Sequence, residues 1–186
     1  MTATTADVRS RVLLAARAEF AERGLAGARV DRIAAEARAS KERLYAHFGD
    51  KATLFQAVLD ADAAEFHEAV ALDPADVAGF VGAVFDESAR HPEHLRMLTW
   101  ARLEGIDYRL PAGVTPRRKV EALEQAQRDG VVDPAWRPED LLELLFSIAH
   151  AWVQTPVRPE DQISSPAEQR AAAVEAARRV IAVPAP

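Results

Sequence analysis

Lys41, Glu42, Arg43, Tyr45, Ala46 and His47 stand close together in a chain otherwise rich in alanine and leucine. Two apolar residues, Leu44 and Phe48, interrupt them one helical turn apart. A helix from Lys41 to about Phe48 therefore buries Leu44 and Phe48 and turns the other six outward or toward the preceding loop. Those six carry chemistry that can read a DNA duplex. An arginine pairs with guanine through two parallel hydrogen bonds, and a carboxylate accepts from the cytosine amino group. Contacts to phosphate oxygens position a protein without reading sequence. A helix fits the major groove, about 12 Å wide in B-DNA. Among the six, Arg43 is the best candidate for a base reader.

Such a helix has to be held. Upstream, Val30 to about Ala37 reads as a second short helix with Ile33 and Ala34 facing inward, and Arg38, Ala39 and Ser40 separate the two. Two short helices so joined form a helix-turn-helix. Ile33, Ala37, Leu44 and Phe48 supply its shared core, and Ala34 is small where the helices approach. Ser40 is the predicted N-cap, its hydroxyl accepting a free backbone N–H of the first turn. Val12, Ala16 and Phe20 recur every fourth residue and predict an amphipathic helix near 7–23. Gly24 ends it in the left-handed C′ position. Asp50 can cap a longer helix from Lys51 to about Val70. Lys51, Arg9 and Arg11 are candidates to neutralise flanking phosphates.

The chain has 186 residues, with 23 Lys+Arg against 29 Asp+Glu and a formal net charge of −6. Residues 1–52 hold ten basic and seven acidic side chains, a charge of +3, which leaves −9 on the rest. A basic end on an acidic body suits an anionic partner met by one end only, although chance asymmetry reads the same way. The chain has no cysteine, so disulfides, zinc–thiolate sites, iron–sulfur clusters and thiol catalysis are excluded. Glycine-rich phosphate loops, a Gly-x-Ser-x-Gly elbow and a His-Glu-x-x-His helix are missing. Glu87, His91 and His94 have metal-compatible spacing, but Pro92 breaks the helix between them. Asp60 and Asp62 read as a solvated face. Neither a metal, a cofactor nor an enzyme is expected. The longest stretch free of Asp, Glu, Lys and Arg is the 14 residues from Leu144 to Val157. A spanning helix needs about 18 apolar residues, so no membrane partner is expected. Met1 to Asp7 is polar and lacks the apolar region of a secretion signal, which makes the cytoplasm the expected location.

Beyond residue 70 the punctuation is proline. Asp73-Pro74, Thr115-Pro116, Asp133-Pro134 and Ser165-Pro166 each set a capping side chain before a proline, which loses no hydrogen bond at the first helical position. The last, with Glu168, is a capping box. Helices are predicted near 75–90, 93–104, 116–129, 138–154 and 167–182, and no strand is convincing. The expected fold is all-α with about nine helices, a three-helix helix-turn-helix domain over 1–50 and a second helical domain over 51–186.

Residues 8–59 resemble the N-terminal domain of TetR-type (tetracycline-repressor-like) transcriptional regulators. The resemblance is carried by Ala18-Glu19-Phe20, Glu22-Arg23-Gly24, Ile33-Ala34-Ala35-Glu36-Ala37, Ser40-Lys41, Leu44-Tyr45-Ala46-His47-Phe48, Asp50-Lys51 and Leu54. It implies a homodimeric repressor that binds a palindromic operator in double-stranded DNA and is released by a small-molecule effector. It places Tyr45, His47 and Lys51 on backbone phosphates and Lys41, Glu42, Arg43 and Ala46 nearest the bases, with Arg29 and Ser40 in the same interface. For Tyr45, packing between helices is the competing reading, and for Arg29 a plain solvated charge.

The resemblance also makes 51–186 a ligand-binding and dimerisation domain. Phe80, Trp100, Phe146, His150 and Trp152 are the candidate effector contacts, with ordinary core packing as the competing reading of each. Dimer contact falls to the helices near 138–154 and 167–182, through Leu141, Leu145, Ile148 and Trp152 on one and Ala172, Ala176 and Val180 on the other. Three positions depart from the family pattern. Arg38 stands where the turn usually has glycine, Arg29 where Thr or Ser caps the second helix, and Glu42 where a small residue is common. A non-glycine residue in a left-handed turn costs about 1 kcal/mol or more, and a reshaped turn would avoid that cost. Arg38 and Glu42 motivate the alternative, an all-α protein-interaction adaptor that keeps the fold without specific DNA binding.

Overall fold

The computed structural model describes residues 5–110, 117–154 and 164–184. Among these residues it forms ten α-helices and no strand. They are α1 (Thr5–Gly27), α2 (Val30–Glu36), α3 (Lys41–Phe48), α4 (Lys51–Ala69), α5 (Val77–Arg90), α6 (Pro92–Leu103), α7 (Arg117–Arg128), α8 (Pro138–Ala149), α9 (Ala151–Gln154) and α10 (Pro166–Ile181). None is long and apolar enough to cross a membrane.

Local signals account for most boundaries. Ser40 caps α3 by accepting the Arg43 N–H at 3.3 Å, and Asp50 accepts the Thr53 N–H at 2.7 Å at the start of α4. Ser165 and Glu168 form the reciprocal capping box of α10. Two proline signals act differently from expectation. Asp73 and Asp133 accept the N–H groups of Ala75 and Ala135 at 2.9 and 2.8 Å, so each builds a turn on itself two residues on. Asp76 and not Asp73 precedes α5, where its carboxylate accepts the Gly79 N–H at 3.0 Å. Thr115-Pro116 lies outside the described residues. The single helix expected near 138–154 is divided at His150, whose backbone leaves helical geometry (φ −95°, ψ 2°), giving ten helices instead of nine.

Contacts divide the chain into two compact units, residues 1–66 with 91–114, and residues 67–90 with 115–186. In the first, Val12, Ala16 and Phe20 of α1 share a core with Ile33, Leu44, Leu54, Phe55 and Met97. The Phe20 and Phe55 rings meet edge to face at 4.9 Å between centroids. One part of this unit contradicts the solvated-face reading. Asp62 is buried, hydrogen-bonded to His94 Nδ1 at 2.5 Å and ion-paired with Arg17 Nε at 3.2 Å. Phe66 stacks flat on the His94 ring at 4.2 Å. Arg17 also reaches Glu65 at 2.6 Å. A single buried carboxylate thus ties α1, α4 and α6 together.

In the second unit α5, α8 and α10 pack on one another. Val81, Val84, Leu141, Leu145, Ala173, Ala177 and Ile181 are buried there. A Cβ on Gly82 would lie 3.1 Å from Val174 of α10, so this glycine permits close helix approach. The inward face of α10 is therefore 173, 177 and 181. Ala172 stays exposed, with Ala176 and Val180 half-buried.

Removing one member of a buried ion pair leaves the others desolvated without compensation. Asp62→Ala is expected to lower unfolding stability by about 3 kcal/mol, read as a lower urea midpoint. An unchanged midpoint would contradict the role given to this carboxylate.

Candidate nucleic-acid interface

α2 has seven residues and α3 eight. Helices this short do not persist alone in water, so neighbouring elements must hold them. The holding starts at Gly24, where α1 kinks with φ +66°. A Cβ at this position would come within 2.7 Å of the Trp100 ring as well as meeting the left-handed penalty. The chain then turns through Ala26 and Ala28 into α2, and three side chains from distant positions satisfy this corner. Glu104 accepts the Ala26 N–H at 3.1 Å. Lys51 donates from Nζ to the carbonyls of Ala26 and Ala28 at 3.2 and 3.1 Å. Glu19 accepts the Arg29 N–H at 2.9 Å and a forked pair of bonds from Arg32, with Arg23 3.7 Å away and also bonded to Glu22.

Arg29 makes no side-chain cap bond to the first turn of α2, and Glu19 reaches from α1 to satisfy the N–H of this N-cap residue, the part a Glu plays in a capping box. Burial alone would raise the Glu19 pKa. The hydrogen bonds from Arg32 and the Arg29 N–H, with the charges of Arg32 and Arg23, hold it below its ordinary value instead.

The turn between α2 and α3 is not reshaped. Arg38 adopts the left-handed conformation itself, at φ +50°. Its N–H donates to Ala35 O at 3.1 Å and the Ala39 N–H donates to Ala34 O at 2.9 Å, the paired bonds of a Schellman motif. Arg11 Nε donates to Ala37 O at 3.0 Å, meeting one more carbonyl at the end of α2. With Leu44 and Phe48 buried in the first unit, α3 presents Lys41, Glu42, Arg43, Tyr45 and Ala46 outward, and His47 is half-buried.

The outward side chains are not equivalent. Lys41 is ion-paired with Asp31 of α2, whose hydrogen bond raises the Lys41 pKa. Glu42 folds back on the start of its own helix. Hydrogen bonds from its own N–H and from the Ser40 side chain lower its pKa. Arg43 has no ion-pair or hydrogen-bond partner for its guanidinium among the described residues. Tyr45 is 43% exposed, so its ring is not a core residue. Arg29 is exposed at the start of α2, some of the same cationic surface. Lys51 gives its donors to the corner, and Arg9 lies 5.7 Å over the Phe48 ring.

The candidate effector residues do not all meet. In the second unit, Phe80 and Phe146 lie edge to face at 5.4 Å, and the His150 ring follows at 6.3 Å from Phe146. His150 Nε2 and Ser88 Oγ are 2.9 Å apart and hydrogen-bonded. Trp152 meets Phe85 at 6.4 Å. Trp100 belongs to the first unit and donates its indole N–H to Ala21 O at 3.2 Å. Sequence reasoning missed Lys119, which is buried and donates to His67 O at 2.9 Å. Burial pushes its pKa down, against the opposing charge of Glu68. No spacing signal links Lys119 to His67, 52 positions away. An open groove of about 250 Å³ lies in the first unit, lined by residues including Leu14, Arg17, Pro92 and Arg96, and none of the candidate effector residues lines it.

Residues 12–58 match the family described as bacterial regulatory proteins, tetR family, and residues 76–179 match the tetracyclin repressor-like C-terminal domain. The chain is 41% identical over 152 residues to the HTH-type transcriptional repressor SCO4008 of Streptomyces coelicolor, covering 80% of this chain and 79% of that protein. It is 33% identical over 102 residues to the HTH-type transcriptional repressor NicS of Pseudomonas putida, covering 51% and 48%. The crystal structure of SCO4942 from Streptomyces coelicolor superposes with a TM-score of 0.82 at 41% identity, over 95% of this chain and 99% of that one.

The depressed Glu19 pKa has a definite consequence for acid stability. Stability from this group is complete above the unfolded pKa, about 4.3, and is lost as pH falls through the lower folded value. Thermal melts of the wild type are expected to fall more steeply with acidification than those of Glu19→Gln, which starts lower at neutral pH. Parallel curves would contradict the assignment.

Proposed function

The chain belongs to the tetR family of bacterial regulatory proteins and is a helix-turn-helix transcriptional regulator, and from that premise we propose that it is a homodimeric repressor released from a palindromic operator by a small-molecule effector. The repressor names of the two relatives support the direction of regulation. In this reading residues 1–50 bind DNA, 51–186 bind effector and form the dimer, and the protein acts in the cytoplasm by binding alone.

The observation that carries the reading is the outward face of α3. Arg43, exposed and without a partner among the described residues, and the exposed Tyr45 and Ala46 stand on a helix fixed from behind by Leu44 and Phe48. Arg43 is the proposed base reader, bidentate to a guanine. Glu42 and Ala46 lie nearest the bases with it, and Lys41 joins them on exchanging Asp31 for DNA. Tyr45, His47, Ser40, Arg29 and the remaining donor of Lys51 are proposed to face phosphate and sugar, which set register.

For the dimer, α8 leaves Leu144 40% exposed, and α10 leaves Ala172 outside its own core. Two copies of this α8–α10 face can bury both, and the small alanines permit close helix approach. Phe80, Phe146, His150 and Trp152 are the proposed effector contacts. An effector that favours the conformation spaced wrongly for DNA shifts the population off the operator, and DNA weakens effector binding by the same factor. Half-sites about 34–36 Å apart make a small change in spacing sufficient.

Purified protein is expected to shift a duplex from its own promoter region, with log affinity falling linearly against log salt. Arg43→Ala is expected to weaken operator binding about tenfold or more while relaxing specificity at one base position. Full operator affinity in an Arg43→Ala, Tyr45→Ala, Lys51→Ala triple variant would overturn the reading.

A further inference from the structure

Of the ten basic side chains in residues 1–52, seven have an ion pair, a backbone carbonyl or an aromatic face as partner. Arg29, Arg38 and Arg43 have no such partner for the guanidinium among the described residues. Arg29 and Arg43 already belong to the proposed interface. Arg38 does not, and it is the residue whose backbone is least suited to its position.

Among the described residues Arg38 is the one non-glycine with positive φ, at +50°. That conformation costs about 1 kcal/mol or more for a residue with a Cβ, and glycine adopts it without penalty. Nothing among the described residues offsets the cost. The Schellman bonds are backbone bonds that glycine would make equally well, and the Arg38 side chain is exposed and contributes nothing to the core. Strain of this kind persists where the side chain serves another purpose.

The surrounding charges indicate that purpose. Arg38 stands three residues before Lys41, the first residue of α3. At this end of the helix Lys41 is neutralised by Asp31, and the Glu42 carboxylate adds negative charge. With Arg43 and Lys41 directed to the bases in the reading above, Arg38 is the unpaired cation at this end not yet given a partner on DNA. A guanidinium presents a rigid fork that matches phosphate oxygens two at a time. We propose that Arg38 contacts a DNA backbone phosphate beside the entry point of α3, and that its strained backbone is retained for this contact. The inference rests on the DNA-binding reading above.

Stability and binding should then move in opposite directions in one variant. Arg38→Gly is expected to raise the melting temperature by a few degrees. It is also expected to weaken binding about tenfold, equally on a promoter duplex and on a mixed-sequence duplex of the same length, because a phosphate contact carries no sequence preference. The slope of log affinity against log salt should become shallower by about 0.9 for each subunit that loses the contact. Arg38→Lys should keep most of the binding and remain strained. A stabilised Arg38→Gly with undiminished binding and slope would overturn the proposal, and so would a loss confined to the promoter duplex. If the wild type binds neither duplex, the DNA-binding reading itself fails. Binding by the wild type with an inert Arg38→Gly removes the assignment of Arg38 alone.

Discussion

Two helices of seven and eight residues cannot hold an angle by themselves, and the end of this protein proposed to face DNA is built on such a pair. What fixes them is the corner between α1 and α2. Its free backbone groups are satisfied by Glu19, Lys51 and Glu104, which lie on α1, on α4 and just past α6. A local Ser or Thr cap could satisfy one N–H in the first turn of α2. Glu19 instead satisfies the N–H of the N-cap residue Arg29 and also holds Arg32, so the same carboxylate orients α2 against α1. The Asp62–His94–Arg17 group fastens the same unit a second time by joining α1, α4 and α6 through one buried carboxylate.

This construction changes the meaning of the basic first quarter. A charge of +3 over residues 1–52 suggests a broad cationic patch. Instead, most of those cations serve as donors to carbonyls and carboxylates of the fold. The surface available to an anion narrows to a few arginines around α2 and α3. Phosphate attraction that depends on few contacts gives less sequence-independent affinity, so discrimination rests more heavily on base contacts. Asp31 and Glu42 work in the same direction by offsetting Lys41 and the start of α3.

Local chemistry was legible in the sequence. The four-residue spacing of Leu44 and Phe48 and the caps at Ser40, Asp50 and Ser165 each depend on neighbours within a turn or two, and each is present. Gly24 breaks α1 with positive φ as expected, but with ψ −179° it forms a kink in a helix that continues to Gly27 and not a left-handed C′ end. Features set by residues far away were not legible. Asp62 looks like a surface carboxylate until His94 and Arg17 arrive from other helices. Nothing near Lys51 in sequence announces that two of its three donors go to carbonyls 23 and 25 positions earlier. Trp100 is as aromatic as Phe146, but its indole N–H finds Ala21 and its ring covers Gly24. On α10, where alanines are frequent on every face, composition could not select 173 and 177 over 172 and 176 as the buried register. Asp73 and Asp133 show the same limit at short range, since an aspartate before proline can cap a helix or close its own turn.

The central claim is that DNA meets this chain at the outward face of α3 and the turn before it. Backbone amide shifts of isotope-labelled protein, followed during titration with the promoter duplex, test that claim residue by residue. The account places the largest changes at Arg29 and from Arg38 to His47, with small changes at exposed helices of the second unit. Silence across Arg38 to His47 in a complex that demonstrably forms would contradict it.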